Sequence, residues 1–484
     1  MLTPRVAHTL FHLLWLSVAL TSVAVGQTPS ATEGQAPAAQ PTPRPYNILR
    51  AEENWDGLRD PAQRFDWSDQ LKRIPLGRRE DWYMSIGGEA RPYFEWYRNE
   101  DWGEQPGDDG YLLQRYMLHA DLHLGRHVRL FGQLKSGLQN GRHSAPRPPD
   151  EDRLDAHQAF AEVRFDVAGE RSLAVRAGRQ EFNFGSGRLV SMREGPNVRQ
   201  SFDGVRLTLR ERAWRVDAFA VKPVATKPDV FDDRAISGQS FWGVYAVRPL
   251  APLVWLPKKG NVDLYYFGLD KKAARFNQGV AREQRQTIGA RWWSRSEPFD
   301  YNYELVYQFG KFGRGDIRAW TVASENGYTF ARARFRPRVG IKANVTSGDK
   351  DPNDPDLQTF NPLFPRGAYF GQLVSIGPLN HRDLHPSLDL KLARAVALTA
   401  DWVFYWRQSL RDGVYGIPGN LLRTGLKSQA RFAGHQPGVE INWQFDRHTT
   451  FTLNYARFFT GRFLRETPPG RNTTYIAVWA TYKF

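Results

Sequence analysis

Hydrophobic and polar positions alternate with a period of two along most of the chain. The pattern is clearest at the carboxyl end, where Ile476, Val478, Ala480, Tyr482 and Phe484 alternate with Ala477, Trp479, Thr481 and Lys483 without an intervening turn residue. It returns upstream, where Val396, Leu398, Ala400, Trp402, Phe404 and Trp406 alternate with Thr399, Asp401, Tyr405 and Arg407. Such alternation sets one face of each strand in an apolar medium and the other in a polar one. The same pattern recurs over Ile86 to Trp96, Tyr111 to Leu124, Trp214 to Lys222, Ile288 to Ser294, Tyr301 to Phe309, Val339 to Val345, Val439 to Phe445 and Phe451 to Tyr455. In all, about eighteen strands are predicted.

The links between these strands differ in length. Gly125-Arg126-His127, Arg210-Glu211-Arg212, Arg394-Ala395 and Asp446-Arg447-His448 are short, whereas 139–155, 182–200, 223–240, 348–383 and 408–436 are long and polar. Short turns on one rim, long loops on the other and aromatic strand ends are the signature of an outer-membrane barrel. The expected fold is therefore all-β, a closed antiparallel transmembrane β-barrel with short periplasmic turns and long extracellular loops. Closure follows from the lipid, which offers no partners to an open sheet edge.

Composition narrows the choice. The chain has 484 residues with 16 Trp, 19 Tyr and 30 Phe, yet only 41% are hydrophobic. After the first 26 positions no run of about 20 apolar residues follows, which excludes a helical membrane bundle. The aromatic content excludes a disordered chain, and a sandwich core only about 10 Å thick could not absorb apolar residues from so many strands. There is no cysteine, so disulfides, thiolate metal sites and cysteine nucleophiles are excluded. Arg5, the apolar stretch from Leu10 to Val25 and the small-residue exit Ala24-Val25-Gly26 read as a cleavable secretory signal over 1–26. An Ala-, Pro-, Gln- and Thr-rich linker over 27–46 and a barrel over 47–484 complete the expected organisation. A formal net charge of +15 points to an anionic partner, and export argues against nucleic acid. The terminal Phe484, closing an alternating strand, resembles the signal read by barrel-insertion machinery, and the bacterial outer membrane is the expected location.

Several ordered segments resemble the alginate-export outer-membrane barrels. They are Ser85-Ile86-Gly87-Gly88-Glu89-Ala90-Arg91, then Val175-Arg176-Ala177-Gly178-Arg179-Gln180-Glu181-Phe182 with Gly185 and Arg188-Leu189, and Phe202-Asp203-Gly204-Val205-Arg206-Leu207. Arg338-Val339-Gly340, Thr346-Ser347-Gly348-Asp349, Thr359-Phe360-Asn361-Pro362-Leu363-Phe364-Pro365 and Tyr369-Phe370-Gly371 continue the series. The resemblance spans Tyr46 to Phe484. It implies an eighteen-stranded monomeric pore that passes an anionic polyuronate through an arginine-lined lumen, with loops and a periplasmic turn able to occlude it.

Strand parity assigns charges to lumen or lipid. With Ile86, Ala90, Phe94 and Trp96 outward, Glu89, Arg91, Tyr93 and Glu95 face inward; with Leu118, Ala120 and Leu122 outward, Arg115, His119 and Asp121 face inward. The same reading places Arg129, Lys135, Glu162, Arg176, Arg206, Arg291, Arg338, Lys342 and Arg407 in the lumen, since a charge on the lipid face costs about 2 to 4 kcal/mol near the midplane. Arginine suits a polyuronate through bidentate carboxylate contact, and Glu89, Asp121 and Glu162 are placed to hold the guanidinium groups and moderate their grip. Arg179 breaks parity, which calls for a bulge before it or a position in the rim.

Other chemistry is sparse. Asp349, Asp351 and Asn353 crowd oxygen ligands into a spacing like that of a calcium loop, but Asp354 stands where the glycine belongs and no glutamate follows at the twelfth position. A solvated acidic loop is the plainer reading, and apart from this Ca2+ candidate no cofactor is expected. No G-x-S-x-G nucleophile motif is present, so an outer-membrane hydrolase, lyase or acyl-modifying enzyme is not expected. The expected function is a passive, loop-gated outer-membrane channel for an anionic, alginate-like polysaccharide or other anionic solute, the alternative being a general or organic-acid-selective porin.

Overall fold

The computed structural model describes residues 46–167, 169–251 and 260–484. The signal expected over 1–26 and nearly all of the linker expected over 27–46 lie outside the described residues. Eighteen long strands run through the rest: β1 (Trp82–Glu100), β2 (Gln105–Leu124), β3 (Val128–Asn140), β4 (Asp152–Val167), β5 (Arg171–Gln180), β6 (Phe202–Glu211), β7 (Trp214–Ala225), β8 (Gln239–Leu250) and β9 (Gly260–Phe276). They continue as β10 (Gly279–Ser294), β11 (Phe299–Phe312), β12 (Gly315–Thr329), β13 (Arg338–Thr346), β14 (His381–Ala393), β15 (Val396–Arg407), β16 (Phe432–Gln444), β17 (Thr449–Thr460) and β18 (Thr473–Lys483). Each pairs antiparallel with the next, and β18 returns to β1 with Glu89 opposite Lys483 and Arg98 opposite Thr474. The sheet is a closed barrel, so every strand is paired on both sides without a solvent edge.

Alternation sorts the two faces as the sequence requires. On β15, Val403, Tyr405 and Arg407 are buried within the barrel while Trp402 is exposed outside. Leu118, Leu130, Leu134, Leu207, Leu264, Ile288, Leu305, Leu453 and Val478 are likewise exposed. A belt of this extent would be a large apolar patch in water, and lipid covers it.

Both rims depart from the expected asymmetry. The rim holding the turns at 125–127, 394–395 and 445–448 also carries an eight-residue link at 330–337. The opposite rim carries the long links 141–151, 181–201, 226–238, 347–380 and 408–431, but β9–β10 and β11–β12 are joined there by the tight turns 277–278 and 313–314. Arg179 is settled by register: β4, β5 and β6 pair without a shift through this position. It lies at the rim end of β5, its Nε 2.8 Å from Asp203 and its Nη1 3.3 Å from Asp155.

Barrel strands begin only at Trp82. Before them, Arg50–Glu52, Asp56–Arg59, Pro61–Gln63 and Trp67–Leu71 form short 3-10 turns. The last is closed by a capping box, in which the Asp66 side chain accepts from Ser68 N at 2.8 Å and the Asp69 carboxylate accepts from Asp66 N at 3.2 Å.

Candidate functional site

The inner wall of β6–β9 is aromatic, and this fixes the course of two of the long loops. Phe202, Phe219, Phe241, Tyr245 and Phe267 point inward and are buried. Loop 181–201 lays Phe184 on Tyr245 with centroids 4.7 Å apart and Phe182 on Phe219 at 5.0 Å, while loop 347–380 sets Phe364 on Phe241 at 5.0 Å. Burying each ring contributes about 1.5 to 3 kcal/mol. The loops are also stitched to one another: Ser191 N donates to Phe364 O at 2.9 Å, Phe364 N to Leu189 O at 2.8 Å and Arg366 N to Gly187 O at 2.8 Å. Gly289 on β10 lets the opposing Tyr265 lie flat, because a Cβ there would fall 2.2 Å from its ring; the Tyr265 hydroxyl then reaches Glu304 at 2.7 Å.

From this aromatic anchor, loop 181–201 crosses to the far side of the barrel. Arg188 meets Glu304 of β11 at 3.3 Å, while Glu194 and Arg199 reach the inner faces of β1 and β2. There Arg115 Nη2 contacts Glu89 and Glu194, both at 2.5 Å, and Arg91 donates to the carbonyls of Glu194, Gly195 and Pro196 at 3.0 to 3.2 Å. Arg199 pairs with Glu89 at 3.2 Å, with Glu181 at 3.7 Å and with Glu194. Three arginines and three glutamates thus pin the loop tip to the wall.

The other inward cations predicted from parity stand in separate pairs. Arg129 binds Asp121 through two bonds of 2.7 Å, Arg176 meets Glu162 at 2.7 Å, and Arg206 meets Asp217 at 2.9 Å. Lys135 sits between Asp152 and Asp233, each at 2.7 Å, and Arg291 contacts Asp263 at 2.7 Å. Arg338 bridges Asp300 at 2.6 Å and Asp389 at 3.0 Å. Lys342 is different: it lies 4.9 Å from the Tyr369 ring, with no carboxylate within 4.0 Å among the described residues. Arg407 clamps loop 408–431, donating to the carbonyls of Leu410, Asp412, Gly425, Ser428 and Ala430 over the Phe463 ring. Charge pairing of this density holds guanidinium planes in fixed orientations along the wall.

The segment 46–76 enters the lumen from the short-turn rim. Ala51 packs on the inward rings Phe131 and Phe160, its carbonyl accepts from Arg129 at 2.8 Å, and Ile48 O accepts from Arg199 at 3.4 Å. Arg50 Nη2 donates to the terminal Phe484 O at 2.6 Å, and Lys72 Nζ donates to Ile86 O at 2.7 Å. Asp66 and Asp69 tie the segment to Arg447 at 3.0 and 2.8 Å. Burial acts to raise the Asp66 carboxyl, but hydrogen bonds from Ser68 and His448 and the Arg447 charge outweigh it and hold it at about 2. Sequence reading missed this segment, along with Glu194 and Arg199, because none of them lies on an alternating strand.

The residues read as a candidate calcium loop lie as follows. Asp349 is buried, its backbone N donating to Asp412 at 2.9 Å, while Asp351 accepts from Asn353 N at 3.3 Å and faces Arg411 at 3.6 Å. Among the described residues, the group of three carboxylates whose oxygens converge within 4.8 Å is a different one, Asp155, Asp232 and Asp233.

A closed eighteen-stranded barrel with an apolar belt, a charged lumen and inward-folded loops defines an outer-membrane channel. The model of the alginate export family matches residues 82–478, and the chain belongs to that family. Membership makes it a transport channel rather than an enzyme, one that moves an anionic solute across the bacterial outer membrane. A search among curated protein sequences gave no match. Solved structures share the fold: OccAB1 of Acinetobacter baumannii is 12% identical with a TM-score of 0.57 over 86% of this chain and 99% of that one. A BenF-like porin from Pseudomonas fluorescens Pf-5 is 9% identical, with a TM-score of 0.55 over 83% and 98%. OccK2 (OpdF) of Pseudomonas aeruginosa, solved in complex with glucuronate, is 11% identical, with a TM-score of 0.52 over 84% and 96%.

Proposed function

We propose that the channel passes an anionic polysaccharide of the alginate type as a monomeric pore, and that inward arginines on one side of the lumen receive its carboxylates. The observation that carries this reading is the placement of Arg91 opposite Arg115 across β1 and β2, and of Arg176 opposite Arg206 across β5 and β6. Arg129 lies opposite Glu162 across β3 and β4, and Glu162 opposite Arg176 across β4 and β5, so Arg129, Arg176 and Arg206 share one row around a single acid. Their carboxylate partners leave each guanidinium oriented and its affinity moderated, which conduction requires, since a polymer must enter without being trapped. The glucuronate bound by the OccK2 barrel supports a uronate as the chemical unit.

A second reading, a general or organic-acid-selective porin, is favoured by the pairing of nearly every predicted cation and by loops that fill the lumen beside β6–β9. Ion-current block separates the two. Oligouronates of increasing length should block the current with dwell times that grow with length, and neutral oligosaccharides of the same length should block more weakly. Block by a monomeric uronate that does not deepen with length would favour the small-acid porin, and no block by either would remove the uronate altogether.

A further inference from the structure

The outer face of the barrel at the long-loop rim carries a patch that the channel reading does not use. On β15, Trp402, Phe404 and Trp406 point outward as a ladder, the first two rings 5.6 Å apart at 8° and the next two 6.1 Å apart at 20°. Phe432 adjoins Trp406 at 5.7 Å, and His435 stacks on Phe459 of β17 at 4.9 Å while accepting from Trp402 Nε1 at 3.0 Å. At the upper end of this ladder stand three arginines. Arg382 is opposite Trp406 in register and donates through Nε to the Gln408 side chain. Arg431 donates to the carbonyls of Arg407, at 2.9 Å, and Gln408. Arg457 lies 4.9 Å over the Phe459 ring.

None of the three has a carboxylate within 4.0 Å among the described residues, whereas several rim arginines elsewhere have one. Arg282 pairs with Asp270 at 2.5 Å, Arg171 with Glu211 at 2.5 Å, Arg318 with Asp316 at 3.3 Å and Arg179 with Asp203 at 2.8 Å. Arg382 and Arg431 converge on one glutamine, Arg382 on the Gln408 side chain and Arg431 on its carbonyl. Among the described residues both Nη of Arg382 and Nη2 of Arg431 make no hydrogen bond, and both side chains are partly exposed at the upper end of the outward ladder. Aromatic belts alone occur at any membrane interface. Two converging arginines without an acid, directly above such a belt, call for an anion that accepts several hydrogen bonds, and phosphate is the group that matches the planar fork.

We propose that this patch binds the phosphate-bearing headgroup of an outer-leaflet glycolipid, with acyl chains lying along the Trp402–Trp406 ladder. The site is independent of what the lumen conducts. The test uses the full-length barrel in detergent, with binding followed by native mass spectrometry and by the shift in unfolding temperature. The probes are lipid A carrying both phosphates, the same lipid with its phosphates removed, and inorganic phosphate. Phosphorylated lipid A should bind the native protein and raise its unfolding temperature, and the other two should do so weakly. Arg382→Gln combined with Arg431→Gln should weaken phosphorylated lipid A about tenfold or more, while Arg382→Lys combined with Arg431→Lys, which keeps the charge, should retain part of it and verify folding. Equal binding by the glutamine variant, equal binding of the dephosphorylated lipid, or a full effect from inorganic phosphate alone would each overturn the proposal.

Discussion

At the scale of single residues, the lumen is governed by whether each charge has a partner. Arg115 is the centre of the cluster that fixes loop 181–201, its head group held by Glu89 and Glu194. Removing one member of a buried pair leaves the other charge uncompensated, a loss of about 3 to 5 kcal/mol. We predict that Arg115→Gln lowers the barrel's resistance to denaturant by that order and makes loop 181–201 a target for limited proteolysis; an unchanged unfolding midpoint would mean that the cluster does not fasten the loop. A second residue prediction concerns pH. Burial, and then the Asp412 charge, push the Asp349 carboxyl up to about 7 from its ordinary 3.8, Asp354 adding to the effect and backbone donors at Lys350 and Asp351 opposing it. The packed loops therefore favour protonated Asp349, whereas a released loop gives up that proton above about pH 4. The stabilisation is full below that point and fades as pH rises to about 7, and hydrogen exchange over 347–360 should quicken across this window. Asp349→Asn should abolish the pH dependence; if it persists, another group is responsible.

At the scale of elements, the segment 46–76 is a second occupant of the lumen, anchored to β1, β3 and the 445–448 turn. Deleting it should raise single-channel conductance without unfolding the barrel, because the strands close on one another independently of it; unchanged conductance would show that it does not limit the passage. The strands themselves were legible because lipid on one side and water on the other impose a strict period of two. Val396 to Arg407 shows this directly, with Trp402 outside and Tyr405 within. The inward loops were not legible in the same way. Phe182, Phe184 and Phe364 are buried as deeply as strand residues, but they sit on irregular backbone, and what buries them is an inner wall contributed by residues distant in the chain. Glu194 likewise takes its role from Arg91 and Arg115, 103 and 79 positions earlier. Parity set the cations inward together with Glu89, Asp121 and Glu162, and only the fold brought Glu194 and Arg199 to them. The rim position of Arg179 was open in sequence for the same reason, since Asp203 and Asp155 lie on neighbouring strands.

At the scale of the whole molecule, the closed barrel removes every edge, the apolar belt sets it in lipid, and the excess of basic residues has to be placed either along the conduit or on the rims. Part of it lies in the lumen, in the facing pair Arg91 and Arg115 and in the row of Arg129, Arg176 and Arg206, and another part at the lipid-facing rim near Arg382. Reversal potential across a potassium chloride gradient, measured on single channels of the purified protein, tests the central claim most directly. The account predicts anion selectivity that falls toward neutrality when Arg176 and Arg206 are both replaced by glutamine. Cation selectivity in the native protein would contradict it.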